Sequence, residues 1–217
     1  MITLTAFRWV PPFAQGLVKD LRVRWALGEA SIPYTERLIG PEDQASAAYR
    51  ALQPFGQVPV IEEGDLKLFE SGAIVLNIAE RSETLMPKDA GGRARTTAWV
   101  FAALSSLEPA VDYLGATYHA EGEAWALARR PAAIEMASGR LDALCAWLGD
   151  KDYLEGRFTA GDLMMTTVLR NLRQTRLVED RPVLAAYQAR CEARPAFGKA
   201  LADHLRPFEA HAALATA

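Results

Sequence analysis

Residues 55–81 read FGQVPVIEEGDLKLFESGAIVLNIAER. Two short apolar runs, residues 58–61 (VPVI) and 66–69 (LKLF), flank the turn-like EEGD. The following SGAIVLNIAER has the apolar density of a buried helix, so the stretch reads as a β-hairpin running into a helix. Working back from it, ITLTAF at 2–7 reads as a strand and DLRVRWALGEA at 20–30 as a helix. PYTERLI at 33–39 is a second strand, and EDQASAAYRAL at 42–52 is a more polar helical stretch. The predicted order is βαβαββα. Apolar strands preceded by helices of crossover length favour a mixed sheet covered by helices over an antiparallel barrel.

Beyond residue 81 the texture changes to long Ala- and Leu-rich segments of helical period. We expect the first domain to span residues 1–81, a linker 82–92 (SETLMPKDAGG) interrupted by Pro87 and Gly91-Gly92, and an all-helical domain 93–217. Leu85 and Met86 are positioned to anchor the linker on a domain face. Residues 93–119 predict a long helix bent at Pro109. Residues 134–150 predict a second, with Leu141, Leu144, Cys145 and Leu148 at core spacing. Thr159-Ala160-Gly161-Asp162 opens an apolar run as a capping box, and residues 181–205 supply two more short helices with Pro182 and Pro195 at their boundaries.

Composition narrows the function. In 217 residues, 24 Lys+Arg stand against 27 Asp+Glu, a net charge of -3. The balance is nearly even on both sides of Arg81, which gives little attraction to a phosphate polymer and argues against nucleic acid as partner. The start MITLTAFRW lacks a basic leader with a cleavable apolar stretch, and no apolar run is long enough to span a bilayer. A cytoplasmic location without membrane attachment is therefore expected. Cys145 and Cys191 read as reduced, packed thiols. His119, His204 and His211 stand in no zinc-like spacing and read as structural or surface residues, and Glu62-Glu63 and Asp150/Asp152 read as solvated charge, so no metal is expected. The glycine-rich nucleotide loops, the HExxH helix and the GxSxG elbow are all missing.

One constellation carries chemistry. Pro59, preceded by Gln57-Val58 at the entry of a strand, leaves the backbone of Val58 open to a peptide-like ligand, above all if the Val58-Pro59 bond is cis. Ser71, at a helix start, offers its hydroxyl and a free N–H to a carboxylate, and Glu70 can receive an ammonium group. Together they describe a clamp for the amino-acid end of a ligand. A turn-setting proline and a helix-capping serine account for the same residues, and both readings stand at this point.

RVRWAL, ALQPFGQVPVI and LFESGAIVLNIAER, in this order and separation, resemble the cytosolic glutathione S-transferase superfamily, and the likeness covers essentially the whole chain. The resemblance implies an α/β thioredoxin-like N-terminal domain plus an all-α C-terminal domain, a homodimer, and reduced glutathione as co-substrate at the domain and subunit junction. By that likeness Val58 pairs with the cysteinyl backbone beside cis-Pro59. Glu70 and Ser71 hold the γ-glutamyl end, and Gln57 contacts the glycyl side. The expected activity is detoxifying transfer of glutathione sulfur to a small hydrophobic electrophile. Glutathione-dependent peroxidase, dehalogenase or isomerase activity and a non-enzymatic glutathione-binding or interaction module are the alternatives.

The chain departs from the family pattern after its first strand. Many relatives place Ser, Tyr or Cys there to stabilise the thiolate, but RWVPPFAQGLVKDLRVRW has none of the three between Arg8 and Trp25. Thr5, Arg8, Trp9, Gln15 and Lys19 are the available replacements. We expect loop backbone N–H groups with Arg8 or Lys19 to favour a negative sulfur, and Trp9 to wall the acceptor. Arg22 and Arg24 are expected on the exposed face of the first helix or joining domains, and Trp25 in the core.

Overall fold

The computed structural model describes residues 1–215, with side chains described through residue 211. It divides into two compact units, Met1–Met86 with Arg194–Ala217, and Pro87–Ala193.

The first unit is built on a four-stranded sheet. Its strands are β1 (Ile2–Phe7), β2 (Tyr34–Ile39), β3 (Val60–Glu63) and β4 (Leu66–Phe69), in the order β2-β1-β3-β4. β1 runs parallel to β2 and antiparallel to β3, and β3 pairs antiparallel with β4 across the hairpin, with Val60 opposite Phe69. Burial follows strand position. Central β1 buries Ile2, Leu4, Thr5 and Ala6, and central β3 begins with Val60 and Ile61 fully buried, whereas Leu66 on edge strand β4 is exposed. A strand covered on both faces carries consecutive apolar residues, and an edge strand alternates; β2, YTERLI, alternates accordingly.

Helix α1 (Asp20–Glu29) crosses from β1 to β2. α2 (Pro41–Gln44) and α3 (Ala47–Arg50) replace the single polar helix expected at 42–52, and α4 (Ser71–Ala79) follows the hairpin. The break between α2 and α3 has a local cause: the Ser46 hydroxyl accepts the N–H of Tyr49, which restarts the helix with a new cap. Leu85 and Met86 are buried and close the N-terminal part of this unit.

The second unit holds α5 (Ala90–Phe101), α6 (Glu108–His119), α7 (Ala124–Leu148), α8 (Ala160–Leu169) and α9 (Pro182–Glu192). Gly91-Gly92 do not interrupt α5, contrary to expectation. Asp89 caps it by accepting the Gly92 N–H at 2.7 Å, and a Cβ at Gly92 would come within 2.7 Å of the Pro87 ring, so glycine there permits a close packing. The bend expected at Pro109 is a π-helical widening over Ala102–Leu107. Proline donates no hydrogen bond to the carbonyl four residues back, and a widened turn absorbs the mismatch. α7 begins ten residues before the expected 134 and runs through Pro131. The carbonyl that Pro131 leaves unpaired belongs to Leu127, which is 53% exposed and can be hydrated.

The capping box at α8 forms as read. Thr159 Oγ1 accepts the Gly161 N–H at 3.2 Å, and Asp162 accepts the Thr159 N–H at 2.9 Å. Asp162 also accepts the Leu154 N–H at 2.9 Å and the Tyr187 hydroxyl at 3.0 Å, so one carboxyl fastens the 154–159 loop and α9 to α8.

The sequence placed residues 93–217 in one helical domain. The last helix, α10 (Pro195–Ala215), instead belongs to the first unit and packs along α1. Trp25 meets Phe197 edge-on with centroids 4.9 Å apart, and Arg194 donates from Nε and Nη2 to the two oxygens of Glu29, at 2.6 and 2.7 Å. α1 therefore has no outer face. Asp20 through Leu27 are all buried, which corrects the placement of Arg22 and Arg24 on exposed ground: each is 2% exposed.

Candidate functional site

The predicted clamp residues lie at adjoining places in the first unit. The Val58-Pro59 peptide is cis, and Val58 packs with Ile39, Tyr49 and Val60 in a cluster that also takes in Phe7 and Val18. Those two residues immediately precede Arg8 and Lys19, so both ends of the β1–α1 loop adjoin the cluster that holds Val58. Gln57 is exposed, and its carbonyl accepts the Tyr49 hydroxyl at 2.6 Å. Burial pushes the Tyr49 phenol up to about 12, which keeps it a donor at neutral pH.

Ser71 and Glu70 open α4. Glu70 is exposed and adopts φ +70°, ψ 114°. A positive φ in a non-glycine residue costs on the order of 1–3 kcal/mol and persists where the surroundings over-determine it. No side chain caps this helix, and its first intrahelical bond runs from the Ile74 N–H to the Glu70 carbonyl. The first-turn N–H groups at Ser71, Gly72 and Ala73 are accordingly without partners inside the helix, the arrangement that attracts an anion.

Behind Ser71 stands a residue the sequence reading missed. Arg22 Nη1 donates to Ser71 Oγ at 3.1 Å, with both side chains buried. A guanidinium only donates, so the serine oxygen is the acceptor and the serine hydrogen is directed elsewhere. A buried cation, a free hydroxyl donor and a helix N-terminus thus converge at one point. The signal for Arg22 was its position in LRVRWAL, where two arginines interrupt an apolar run without helical spacing. Only the helix α10 packed over α1 shows that they are inside.

Arg24, two residues on, is structural. It donates to Asp20 at 2.7 Å and to Tyr34 at 3.3 Å, and pairs with Glu36, which also pairs with Arg206 of α10 at 3.0 Å. Burial works against charge on Asp20, but His204 and Arg24 beside it hold its carboxyl below the usual range. Burial likewise opposes charge on Arg24, which its pairing with Asp20 and Glu36 keeps fully protonated.

The proposed sulfur-side residues have mixed surroundings. Arg8 is tied to Glu42 at 3.2 Å and Asp43 at 3.5 Å, with 45% of its side chain exposed, so much of its field is spent on two carboxylates. Lys19 is exposed and immediately precedes α1. Trp9 is 42% exposed. Gln15 spans the loop to the Val10 carbonyl at 3.1 Å, and Thr5 is fully buried in β1. Among the described residues no cluster of three His, Cys, Asp or Glu side chains forms a metal site, and no helix is long and apolar enough to cross a membrane.

The fold defines the class: a thioredoxin-like α/β unit with a mixed four-stranded sheet, and a unit of helices. Residues 21–85 match the family described as Glutathione S-transferase, N-terminal domain. The chain is 32% identical over 172 residues to a glutathione S-transferase of Hyoscyamus muticus, spanning 73% of this chain and 80% of that protein. It is 31% identical over 186 residues to glutathione S-transferase PARB of Nicotiana tabacum, spanning 74% and 83%. Among solved structures, a theta class glutathione S-transferase from Xanthomonas axonopodis pv. citri with glutathione bound superposes with a TM-score of 0.76 at 28% identity, covering 92% of this chain and 96% of that one. This chain belongs to the glutathione S-transferase family.

Proposed function

We infer that the protein is a glutathione S-transferase that adds the sulfur of reduced glutathione to a small hydrophobic electrophile, acting as a cytoplasmic homodimer in detoxification. The observation that carries the binding half is the uncapped start of α4, where Ser71 is backed by buried Arg22. In this reading the γ-glutamyl carboxylate takes the Ser71 hydroxyl and the first-turn N–H groups, and Glu70 receives the ammonium. The backbone of Val58 pairs with the cysteinyl residue next to Pro59, and Gln57 meets the glycyl end. The family membership and the glutathione bound in the Xanthomonas neighbour support the ligand.

Catalysis requires a thiol to become a thiolate, the form that attacks. The sulfur then bonds to the electrophilic carbon while a leaving anion departs, or a proton is taken up after addition to a double bond. The β1–α1 loop supplies the stabilising donors in this reading. Its backbone N–H groups come first and Lys19 second, Arg8 contributing less because Glu42 and Asp43 already hold it. Trp9 walls the acceptor, and the helical unit Pro87–Ala193 is assigned to acceptor binding.

The test is calorimetric titration with glutathione together with turnover of 1-chloro-2,4-dinitrobenzene and an electrophile panel. Binding with turnover is expected, with Q57A and S71A weakening glutathione affinity. Glutathione binding unaffected by either substitution refutes the clamp. Thiolate formation and turnover unaffected by R8A and by K19A remove both cations from the mechanism and leave the backbone donors.

A further inference from the structure

Two histidines on α10 hold the β1–α1 loop. His204 and His211 are seven residues apart, which places them on one helix face, about 10 Å apart along the axis. His204 is completely buried. Its Nε2 accepts the Gly16 N–H at 3.2 Å, and its Nδ1 lies 3.0 Å from Asp20 Oδ2. A ring nitrogen that accepts an N–H carries no proton, so the ring hydrogen sits on Nδ1 and is donated to Asp20. One rigid ring thereby bridges the end of the loop and the first residue of α1. Two turns further along α10, the His211 ring lies 5.9 Å from that of Trp9. Gly16 adopts φ +78°, a left-handed conformation that favours glycine. With Arg8 bound to Glu42 and Asp43, the loop is fastened at its beginning to α2 and along its length to the terminal helix.

We propose that His204 is a positioning residue for sulfur transfer: through the Gly16 N–H it fixes the loop backbone that faces the glutathione sulfur. The terminal helix of the chain is then part of the apparatus that activates the thiol, although none of its side chains needs to touch glutathione. The proposal rests on the function inferred above. Its physical basis is that a chain lacking Ser, Tyr or Cys in this loop relies on backbone donors, and a backbone donor works only if the loop is held still. Such donors lose up to about a hundredfold in rate for a displacement of about 1 Å.

Two substitutions separate the two ring contacts. In H204Q the amide oxygen comes to about the place of Nε2 and can accept the Gly16 N–H, while the Asp20 contact is lost. In H204N the amide nitrogen takes the place of Nδ1 and keeps Asp20, while the Gly16 contact is lost. The assays are hydrogen exchange at the Gly16 amide, melting temperature, and kcat and glutathione KM with chlorodinitrobenzene as acceptor. For H204N we expect faster Gly16 exchange and a kcat lowered about tenfold or more, with glutathione KM within about twofold of wild type because the clamp is untouched. H204Q retains slow exchange and recovers most of the kcat. Equal kcat in the two variants overturns the proposal, as does wild-type kcat in H204N despite faster exchange. If H204N does not fold, H204Q decides alone: a folded H204Q with intact Gly16 protection and a kcat down about tenfold overturns it. A wild-type protein that neither binds glutathione nor turns over any electrophile removes the parent function, an outcome distinct from failure of either variant.

Discussion

Replacing Ser71 with Ala removes one hydroxyl from a position where the partner is charged on both sides. Arg22 donates to the oxygen at 3.1 Å, which on the proposed reading leaves the hydroxyl hydrogen for the γ-glutamyl carboxylate. A hydrogen bond to a charged group contributes about 1.5–3 kcal/mol. At about 1.4 kcal/mol per tenfold, glutathione affinity falls roughly tenfold to a hundredfold. The first-turn N–H groups of α4 survive the substitution, so binding is weakened and not abolished. Calorimetry on wild type, S71A, R22M and the double variant measures how far Ser71 and Arg22 act together, and we expect a coupling of about 1 kcal/mol between contacting residues. Cysteinylglycine, which lacks the γ-glutamyl carboxylate, provides the control: its weaker binding does not change on S71A substitution. Glutathione affinity within twofold of wild type in S71A refutes the reasoning. An equal loss for glutathione and for cysteinylglycine shows that Ser71 acts on something other than the γ-glutamyl end.

Asp162→Ala leaves the N–H groups of Leu154 and Thr159 and the Tyr187 hydroxyl buried without their acceptor, so urea unfolding should show a loss of about 3–5 kcal/mol; a loss below about 1 kcal/mol contradicts the shared role of this carboxyl. Asp20 has a folded pKa below its ordinary value of 3.8, so its contribution to stability is present above that pH and is lost as pH falls through the lower folded value. Acid unfolding of D20N, compared with wild type, should lack that portion of the pH dependence. Cys191 is fully buried and burial pushes its thiol up to about 12, so it should resist a disulfide reagent at pH 8 until the chain is unfolded. Because the exposed thiol of the unfolded chain ionises near 9, the same group makes the fold lose stability as pH rises from there towards 12.

The two parts of the chain differed in how far they could be read. Strands β1 to β4 and helix α4 are legible because each is a short run bounded by turn residues, with β3 opening on the consecutive apolar pair Val60-Ile61. The capping box at Thr159 is legible because both its donors and its acceptors lie within four residues. Pro182 and Pro195 open helices as read, but the sequence reading starts α7 at 134, past Pro131, which the helix includes. Whether Pro109 or Pro131 breaks a helix depends on whether the orphaned carbonyl finds water or a widened turn, a matter of surroundings and not of the residue itself.

The sequence by itself determined the order of elements and the local pattern of Gln57 to Pro59 and Glu70-Ser71, which depend on neighbours close in the chain, and through its crossover lengths it favoured the mixed sheet. It also carried the family likeness, because the order and spacing of those motifs are sequence properties. Only the tertiary structure decided that Arg22 lies behind Ser71, 49 residues away. Only the tertiary structure showed that Arg24 is buried among Asp20, Tyr34 and Glu36. Nor could sequence spacing reveal that His204, 188 residues beyond Gly16, receives its amide. A buried arginine and a surface arginine have the same local sequence signature, since burial is set by what packs on top of a helix. Here that is α10, which the chain reaches only after passing through the whole helical unit, and whose return to α1 no local pattern announces.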